Sequence, residues 1–218
     1  MLTLFVAENG EFRSISNQAP GSGTPPAFGT GTIESETAGR ISGAYVQKRI
    51  ETVPTSDTES CTLDGTLTER VSMSVTVTCT DSANQQKRFS TILGSDANYS
   101  ADGSSLSAIA GNYTLPPAPE SNVLNINGDG TVFGLYKNGA IDCTVNGLVS
   151  IIDAAYNLYR VEWTLSNCAS TLQSYEGVTM TGFTYRILVG PQQGSILVLL
   201  SGAVGDRLDF ASLLYEPT

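Results

Sequence analysis

Four cysteines in two similar motifs constrain this chain more than any other feature of its 218 residues. The first motif, CTLDGTLTERVSMSVTVTC, runs from Cys61 to Cys79; the second, CTVNGLVSIIDAAYNLYRVEWTLSNC, runs from Cys143 to Cys168. Each begins with Cys-Thr, a hydrophobic residue, a turn-forming residue and Gly. Each then returns to Cys through a run that favours β-structure. The pattern predicts two antiparallel hairpins, each closed by a disulfide.

In the first motif, pairing Cys61 with Cys79 separates an apolar face from a hydroxyl face. Leu63 then lies opposite Val77, because side chains alternate between the faces of a strand with period two. Directly opposed residues at a non-hydrogen-bonded site lie close enough for a disulfide. The hairpin is expected to turn near residues 69–70. The other pairs on the apolar face are Gly65 with Val75 and Leu67 with Met73.

The second motif follows the same logic with one irregularity. Strict pairing from Cys143 with Cys168 would put Val149 opposite Glu162 and mix the two faces. A single bulge, or a cysteine lying just past the ladder, restores the match. We therefore predict the disulfides Cys61–Cys79 and Cys143–Cys168.

Two disulfides indicate an oxidising compartment, with periplasmic, outer-membrane-anchored and extracellular locations all open. Two alternatives for the cysteines stay open. They could be buried free thiols, or they could form a four-cysteine zinc site, although the paired C-x2-4-C spacing typical of such a site is missing.

Similar segments predict two related units, residues 1–103 and 104–218. LFVAENGEF (4–12) parallels LNINGDGTV (124–132), because both read as strand, Asn/Gly turn and strand. We expect an all-β fold of two tandem antiparallel meander units, small lipocalin-like up-and-down barrels, each with one cross-strand disulfide. The first unit is expected to lack its first strand.

Turn-forming residues separate fifteen candidate strands. Those of the first unit are 2–7, 10–16, 27–35, 39–49, 60–69, 72–79 and 87–93. Those of the second unit are 111–115, 122–127, 131–136, 141–152, 156–165, 176–187, 194–202 and 209–216. Before the second unit a short helical turn is expected, with Ser104 or Ser105 as its cap and Gly111 as its stop. A helical turn followed by Gly-x-aromatic also opens lipocalin-type barrels.

Four segments, GTGTIES, SLSAIAGNYT, the repeated CT-x-x-G and DFASLLYEP, resemble a group of proteobacterial secreted proteins and lipoproteins. The members of that group are two-part, all-β proteins with no function attached to them. The resemblance covers most of the chain and implies a cell-envelope protein, anchored through a part that lies outside this sequence.

The net charge of −10 argues against nucleic acid and anionic lipid surfaces as partners. No apolar run approaches the roughly 18 residues that a membrane-spanning helix needs. Met1 leads directly into strand-like sequence, which predicts a longer precursor that held an export signal, a lipid-anchor cysteine or the first strand.

Few residues of this sequence are candidates for catalysis, metal binding or modification. The absence of histidine excludes Ser-His-Asp and Cys-His catalysis. Glu34 and Glu36 share a predicted strand face without the features of a catalytic acid pair.

The segment NINGDG (125–130) resembles the start of a calcium-binding loop, but Tyr136 stands where the bidentate Glu belongs. The segment is therefore interpreted as a hairpin turn. Asn98 and Asn112 begin formal N-glycosylation sequons, which we expect to be unmodified in a protein from a bacterial source. We expect no catalytic residue, no cofactor and no metal.

Five aromatic residues are the best candidates for ligand contact, because aromatic faces stack on sugars and apolar rings. Tyr159 and Trp163 fall on the predicted core face, so packing is the favoured interpretation for them. The five residues are Tyr136, Tyr156, Tyr159, Trp163 and Tyr185.

Three functions are open. The first is a non-enzymatic binding or structural protein, which expects exposed apolar or aromatic residues on one face; its partner is an unknown protein, glycan or small apolar ligand. The second is a lipocalin-like carrier, which expects an interior lined by residues such as Val161 and Val198 and able to hold a ligand. The third is a histidine-free carboxylate hydrolase, which expects two acids close together in a cleft.

Overall fold

The computed structural model describes residues 2–16, 27–49, 58–68, 71–94, 103–116, 122–138, 141–205 and 207–218. It divides the chain into two compact units, Met1–Asp96 and Ala97–Thr218. Both units are antiparallel β-structure, as predicted.

The first unit is a seven-stranded meander in which each strand pairs with the next along the chain. A 3₁₀ turn, Thr37–Gly39, connects the third strand to the fourth. The strands are β1 Leu2–Val6, β2 Glu11–Ser16, β3 Ala27–Ser35, β4 Arg40–Arg49, β5 Thr58–Thr68, β6 Ser72–Thr80 and β7 Gln86–Gly94.

The second unit is a closed eight-stranded barrel. Its first strand closes the ring, because it pairs with the second strand on one side and with the last strand on the other. A short helix α1, Leu106–Ile109, precedes the barrel, and a 3₁₀ segment, Ser170–Tyr175, lies between the fifth and sixth strands. The strands are β8 Gly111–Thr114, β9 Val123–Ile126, β10 Thr131–Asn138, β11 Ile141–Ile151, β12 Tyr159–Ser166, β13 Thr179–Arg186, β14 Ile196–Val204 and β15 Arg207–Pro217.

The two hairpins predicted from LFVAENGEF and LNINGDGTV have the same local geometry. In the first, the Gly10 amide donates to the carbonyl of Ala7, and the Gly10 carbonyl accepts from the amide of Ile33. In the second, Gly130 makes the corresponding bonds with Asn127 and Val149. Both glycines have φ above +75°, which glycine adopts without the steric cost of a Cβ. The calcium-like segment is therefore a hairpin turn, as interpreted from the sequence.

The first cysteine hairpin has the predicted register. Cys61 lies opposite Cys79, with Leu63 opposite Val77 and Gly65 opposite Val75, and the two sulfurs are bonded. The turn expected near residues 69–70 lies outside the described residues.

The second disulfide also joins the predicted partners, Cys143 and Cys168. The ladder of β11 and β12 ends where Thr144 pairs with Ser166, so Cys168 lies just past it, one of the two predicted solutions. Val149 consequently faces Val161 and not Glu162, which keeps the apolar face continuous.

Helix α1 covers one end of the barrel. Its cap is Ser105, whose Oγ accepts a hydrogen bond of 3.2 Å from the amide of Ala108, as the sequence predicted. The helix ends at Ala110, immediately before the predicted stop Gly111, which begins β8. Within the described ranges, no helix is long and apolar enough to cross a membrane.

Candidate functional site

The five predicted aromatic residues do not form one cluster. Tyr159 and Trp163 point into the barrel and are buried, and Tyr136 packs, partly buried, against the same interior core. Tyr156 lies in the turn between β11 and β12. Tyr185 alternates with the buried, inward-facing Thr184 on β13 and therefore lies on the outer wall.

Tyr159 has a structural role at the end of the barrel that α1 covers. Its hydroxyl donates to the carbonyl of Ser105 at 3.1 Å and accepts from the amide of the same residue at 3.2 Å. Burial raises the pKa of Tyr159, which keeps the hydroxyl available as a donor. The residue ties the start of α1 to β12 and is part of the packing, as the core interpretation predicted.

Inward-facing side chains from all eight strands pack into one core. Val161 and Val198, which the carrier hypothesis placed around a ligand, both belong to it. Small eight-stranded barrels have interiors just wide enough for side chains to fill. The core consists of Ile109, Tyr113, Leu124, Ile126, Val132, Val145, Val149, Tyr159, Val161, Trp163, Met180, Ile196, Val198, Leu200 and Tyr215.

One aromatic contact inside the barrel was not expected from the sequence. Trp163 on β12 and Tyr215 on β15 meet edge to face, with ring centroids 6.2 Å apart and planes at 79°. Their side chains are buried, yet neither Trp163 Nε1 nor the Tyr215 hydroxyl has a hydrogen-bond partner within the described part of the chain. The alternation of apolar residues in the predicted strand 209–216 was the sequence signal that could have placed Tyr215 in the core.

The outer wall of the barrel carries an exposed apolar surface on β9, β10 and β11, here called the Phe133 face. Val123 lies opposite Leu135, and Phe133, two residues before Leu135, points to the same side. Leu148 lies opposite Thr131, next along that side from Phe133. The face consists of Val123, Phe133, Leu135 and Leu148, and Phe133 keeps 51% of its surface exposed.

Amide and hydroxyl side chains border most of this face, and Glu162 borders it at Leu148. Phe133 lies between Asn125 and Asn146 on the neighbouring strands, and Asn125 Nδ2 donates to Asn112 Oδ1 at 2.5 Å. Glu162, opposite Leu148, is the first charge reached on β12. The uncharged outward positions around the face whose side chains the structure describes are Asn112, Thr114, Asn125, Thr131, Thr144 and Asn146.

Sequence analysis missed the Phe133 face, although a signal for it exists. The strand TVFGLY has hydrophobic residues at even and odd positions alike, whereas a half-buried strand alternates. Even positions such as Val132 are buried in the core, so the odd positions Phe133 and Leu135 must lie on the outer wall.

The two acids that the sequence analysis considered for the hydrolase hypothesis, Glu34 and Glu36, do not share a strand. Glu34 is exposed on β3, whereas Glu36 lies beyond the end of that strand. Glu36 accepts a 3.1 Å hydrogen bond from the Ser42 hydroxyl and lies 4.0 Å from the Arg40 guanidinium. These neighbours hold the Glu36 side chain at the surface of the first unit.

Glu59 is the one acid that the described residues place beside two cysteine sulfurs. Cys61 and Cys79 are bonded to each other, so no thiolate is available there as a metal ligand. The Glu59 carboxylate instead accepts from Lys87 Nζ at 3.2 Å and from Gln47 Nε2 at 2.5 Å. This group is an ion pair between the buried Glu59 and the half-exposed Lys87, with the Gln47 amide as a further donor.

Comparison with known proteins leaves the function open. No family model matches the chain, and no curated protein matches it in sequence. The solved structure of Aeromonas veronii immune modulator A aligns with 95% of this chain and 85% of its own length, at 8% identity and a TM-score of 0.37. A likeness at that level supports no conclusion about fold or function.

Proposed function

We propose that this protein is a non-enzymatic binding protein of the bacterial cell envelope or the extracellular space, and that the Phe133 face contacts a protein partner. The main observation that supports this proposal is the exposed aromatic and aliphatic surface on the outer wall of the barrel. Two disulfides fit an oxidising compartment. Envelope or secreted location is also what the resemblance to proteobacterial secreted proteins and lipoproteins implies.

The chemistry of the face matches the centre of a protein interface. Interface cores are depleted in charged residues and enriched in aromatic ones, and binding energy concentrates in a few buried anchors. Phe133 is the candidate anchor, with Leu135 and Leu148 beside it. In a chain with 21 acidic and 11 basic residues, a face bordered mainly by amide and hydroxyl side chains, with Glu162 as the neighbouring charge on β12, suits a largely apolar partner surface.

The rigidity of the wall supports the same proposal. Phe133 and Leu135 project from the middle of β10, which is paired on both sides, to β9 and to β11. Side chains on paired strands lose little further freedom when a partner covers them, and this lowers the cost of association.

Site-specific photo-cross-linking tests the proposal. The photoreactive residue p-benzoyl-L-phenylalanine replaces Phe133 in one variant and Ile92 in the control. Ile92 is 75% exposed on β7 of the first unit. In the native host we expect one predominant protein adduct from position 133 that is missing from position 92.

The protein identified in the adduct is then purified, and its affinity for this chain is measured. Phe133→Asp should weaken that complex at least tenfold, since loss of an interface anchor costs about 2 kcal/mol or more. An adduct pattern identical at positions 133 and 92 would overturn the proposal. Adducts that contain only a second copy of this chain, or only glycan, would show that the partner class is wrong.

A further inference from the structure

The segment NINGDG (125–130), calcium-like in sequence and a hairpin turn in structure, takes no part in the proposed function. It contains an Asn-Gly pair, Asn127–Gly128, in the exposed turn between β9 and β10. Asparagine side chains are among the chemically labile groups of a protein. An asparagine before glycine is the most open to attack, because no Cβ shields the backbone nitrogen that follows it.

The surroundings of Asn127 leave the reacting atoms accessible. Asn127 and Gly128 are both exposed, and within the described residues the Gly128 amide donates no hydrogen bond. A Cβ at position 128 would meet no atom within 4 Å. The Asn127 side chain is held at its Nδ2, which donates to Thr131 Oγ1 at 2.7 Å. The side-chain carbon therefore lies beside a backbone nitrogen that is free to attack it.

The corresponding turn of the first unit restrains its own Asn-Gly pair, Asn9–Gly10. The Gly10 amide donates to the carbonyl of Ala7 at 2.9 Å, so this nitrogen is engaged. Asn9 Oδ1 accepts from the amide of Glu11 at 3.0 Å, which fixes the side chain as well. A Cβ at Gly10 would collide with the carbonyl oxygen of Ile33, because the backbone is closely packed there.

The pair Asn146–Gly147 is restrained by the barrel wall. Gly147 lies in β11 between Val132 on β10 and Trp163 on β12. A strand paired on both sides has its amides in the hydrogen-bonded ladder, and it opens less readily than an exposed turn. The pair 138–139 lies partly outside the described residues. Of the three Asn-Gly pairs that the structure describes, 127–128 alone joins an exposed asparagine to an unbound glycine nitrogen.

We propose that Asn127 is a site of spontaneous deamidation through a cyclic imide. The Gly128 nitrogen attacks Asn127 Cγ, so that a bond between these atoms forms while the Cγ–Nδ2 bond breaks. Nδ2 leaves as ammonia and takes the proton of the Gly128 amide with it. Water then opens the five-membered ring at either of its two carbonyls, which gives aspartate or isoaspartate.

Both products change this turn. Each puts a carboxylate where the Asn127 amide donated to Thr131, close to the Asp129 carboxylate that accepts from the Thr131 hydroxyl at 2.7 Å. Isoaspartate also lengthens the main chain by one methylene group. It does so at the residue whose carbonyl accepts from the amide of Gly130 and whose amide donates to the carbonyl of Thr131. Isoaspartate should therefore loosen the turn more than aspartate does.

Peptide mapping by mass spectrometry tests the proposal on the full chain, incubated at mildly alkaline pH. We expect deamidation at Asn127 to be about tenfold faster than at Asn9, where two hydrogen bonds must open first. Deamidation at Asn146 should be no faster than at Asn9. Both aspartate and isoaspartate should form at position 127. A rate at Asn9 or Asn146 equal to that at Asn127, or aspartate as the single product, would overturn the proposal.

Two variants separate the imide route from direct hydrolysis of the amide by water. In Gly128→Ala the added Cβ shields the backbone nitrogen and meets no other atom within 4 Å, so the chain should fold and deamidate at Asn127 about tenfold more slowly. Gly94→Ala, at another glycine with open space around it, is the control and should leave the rate at Asn127 unchanged. Equal rates in the two variants would contradict attack by Gly128. If Trp163 fluorescence shows that Gly128→Ala does not fold, the presence or absence of isoaspartate at position 127 of the natural chain decides.

Discussion

Tyr45 and Glu59, which lie beside the first disulfide, affect how the stability of the first unit depends on pH. The Tyr45 hydroxyl lies 3.8 Å from Cys79 Sγ. Burial, with a further contribution from the negative charge of Glu59, raises the pKa of Tyr45 from 10.0 to about 12. The fold therefore favours the neutral phenol.

This pKa predicts a loss of stability at alkaline pH. Because the pKa is higher in the folded chain than in the unfolded one, the contribution of Tyr45 is complete below pH 10 and is lost as pH rises from about 10 toward about 12. Urea unfolding at pH 9 and pH 11 should show a smaller fall for Tyr45→Phe than for the natural chain. Equal falls would mean that the Tyr45 phenol ionises as freely in the folded chain as in the unfolded one.

At the scale of elements, each cysteine hairpin is closed by a disulfide, but the two disulfides differ in their position relative to the paired strands. Cys61–Cys79 bridges directly opposed residues within the ladder of β5 and β6. Cys143–Cys168 closes the open end of the β11–β12 pair, beyond the last paired residues. Each covalent link joins strands that are already neighbours in sequence, and so reinforces a local hairpin.

Removal of the second disulfide should destabilise the barrel. The link closes a loop with a sequence separation of 25 residues, for which the chain-entropy model gives about 3.5 kcal/mol. Urea unfolding of the Cys143→Ala, Cys168→Ala double variant, followed by Trp163 fluorescence, measures the loss. The Cys61→Ala, Cys79→Ala variant is the control, because that link lies in a different sheet. An unchanged midpoint in the first variant would contradict the prediction.

At the scale of the whole molecule, the ring of hydrogen-bonded strands is complete within one unit. Every strand of the closed barrel, from β8 to β15, and helix α1 fall between residues 106 and 217. The core that fills it draws on the same segment.

The fragment 97–218 should therefore fold alone. Its circular dichroism should show β-structure, and its Trp163 emission maximum should match that of the full chain, because the surroundings of that indole come from this unit. An emission maximum shifted to that of solvent-exposed tryptophan would show that the barrel depends on residues 1–96.

Local patterns made much of this structure predictable. Alternation and turn-forming residues placed all fifteen strands, most of them within two residues of their observed ends, because both signals act over a few neighbouring residues. The disulfide partners followed from the same alternation. The 3₁₀ segment Ser170–Tyr175 was not predicted, since short 3₁₀ turns have little signature of their own.

The sequence by itself determined the all-β class, the order of the strands, the cysteine partners and the covered faces of the hairpins, since each depends on residues close along the chain. Only the tertiary structure decided that the expected barrel closes in the second unit, through β8 and β15, that Tyr215 meets Trp163 across it, and that Phe133 is left on the outer wall. These facts depend on how strands far apart in sequence curve around a common core, and period-two alternation does not encode that curvature.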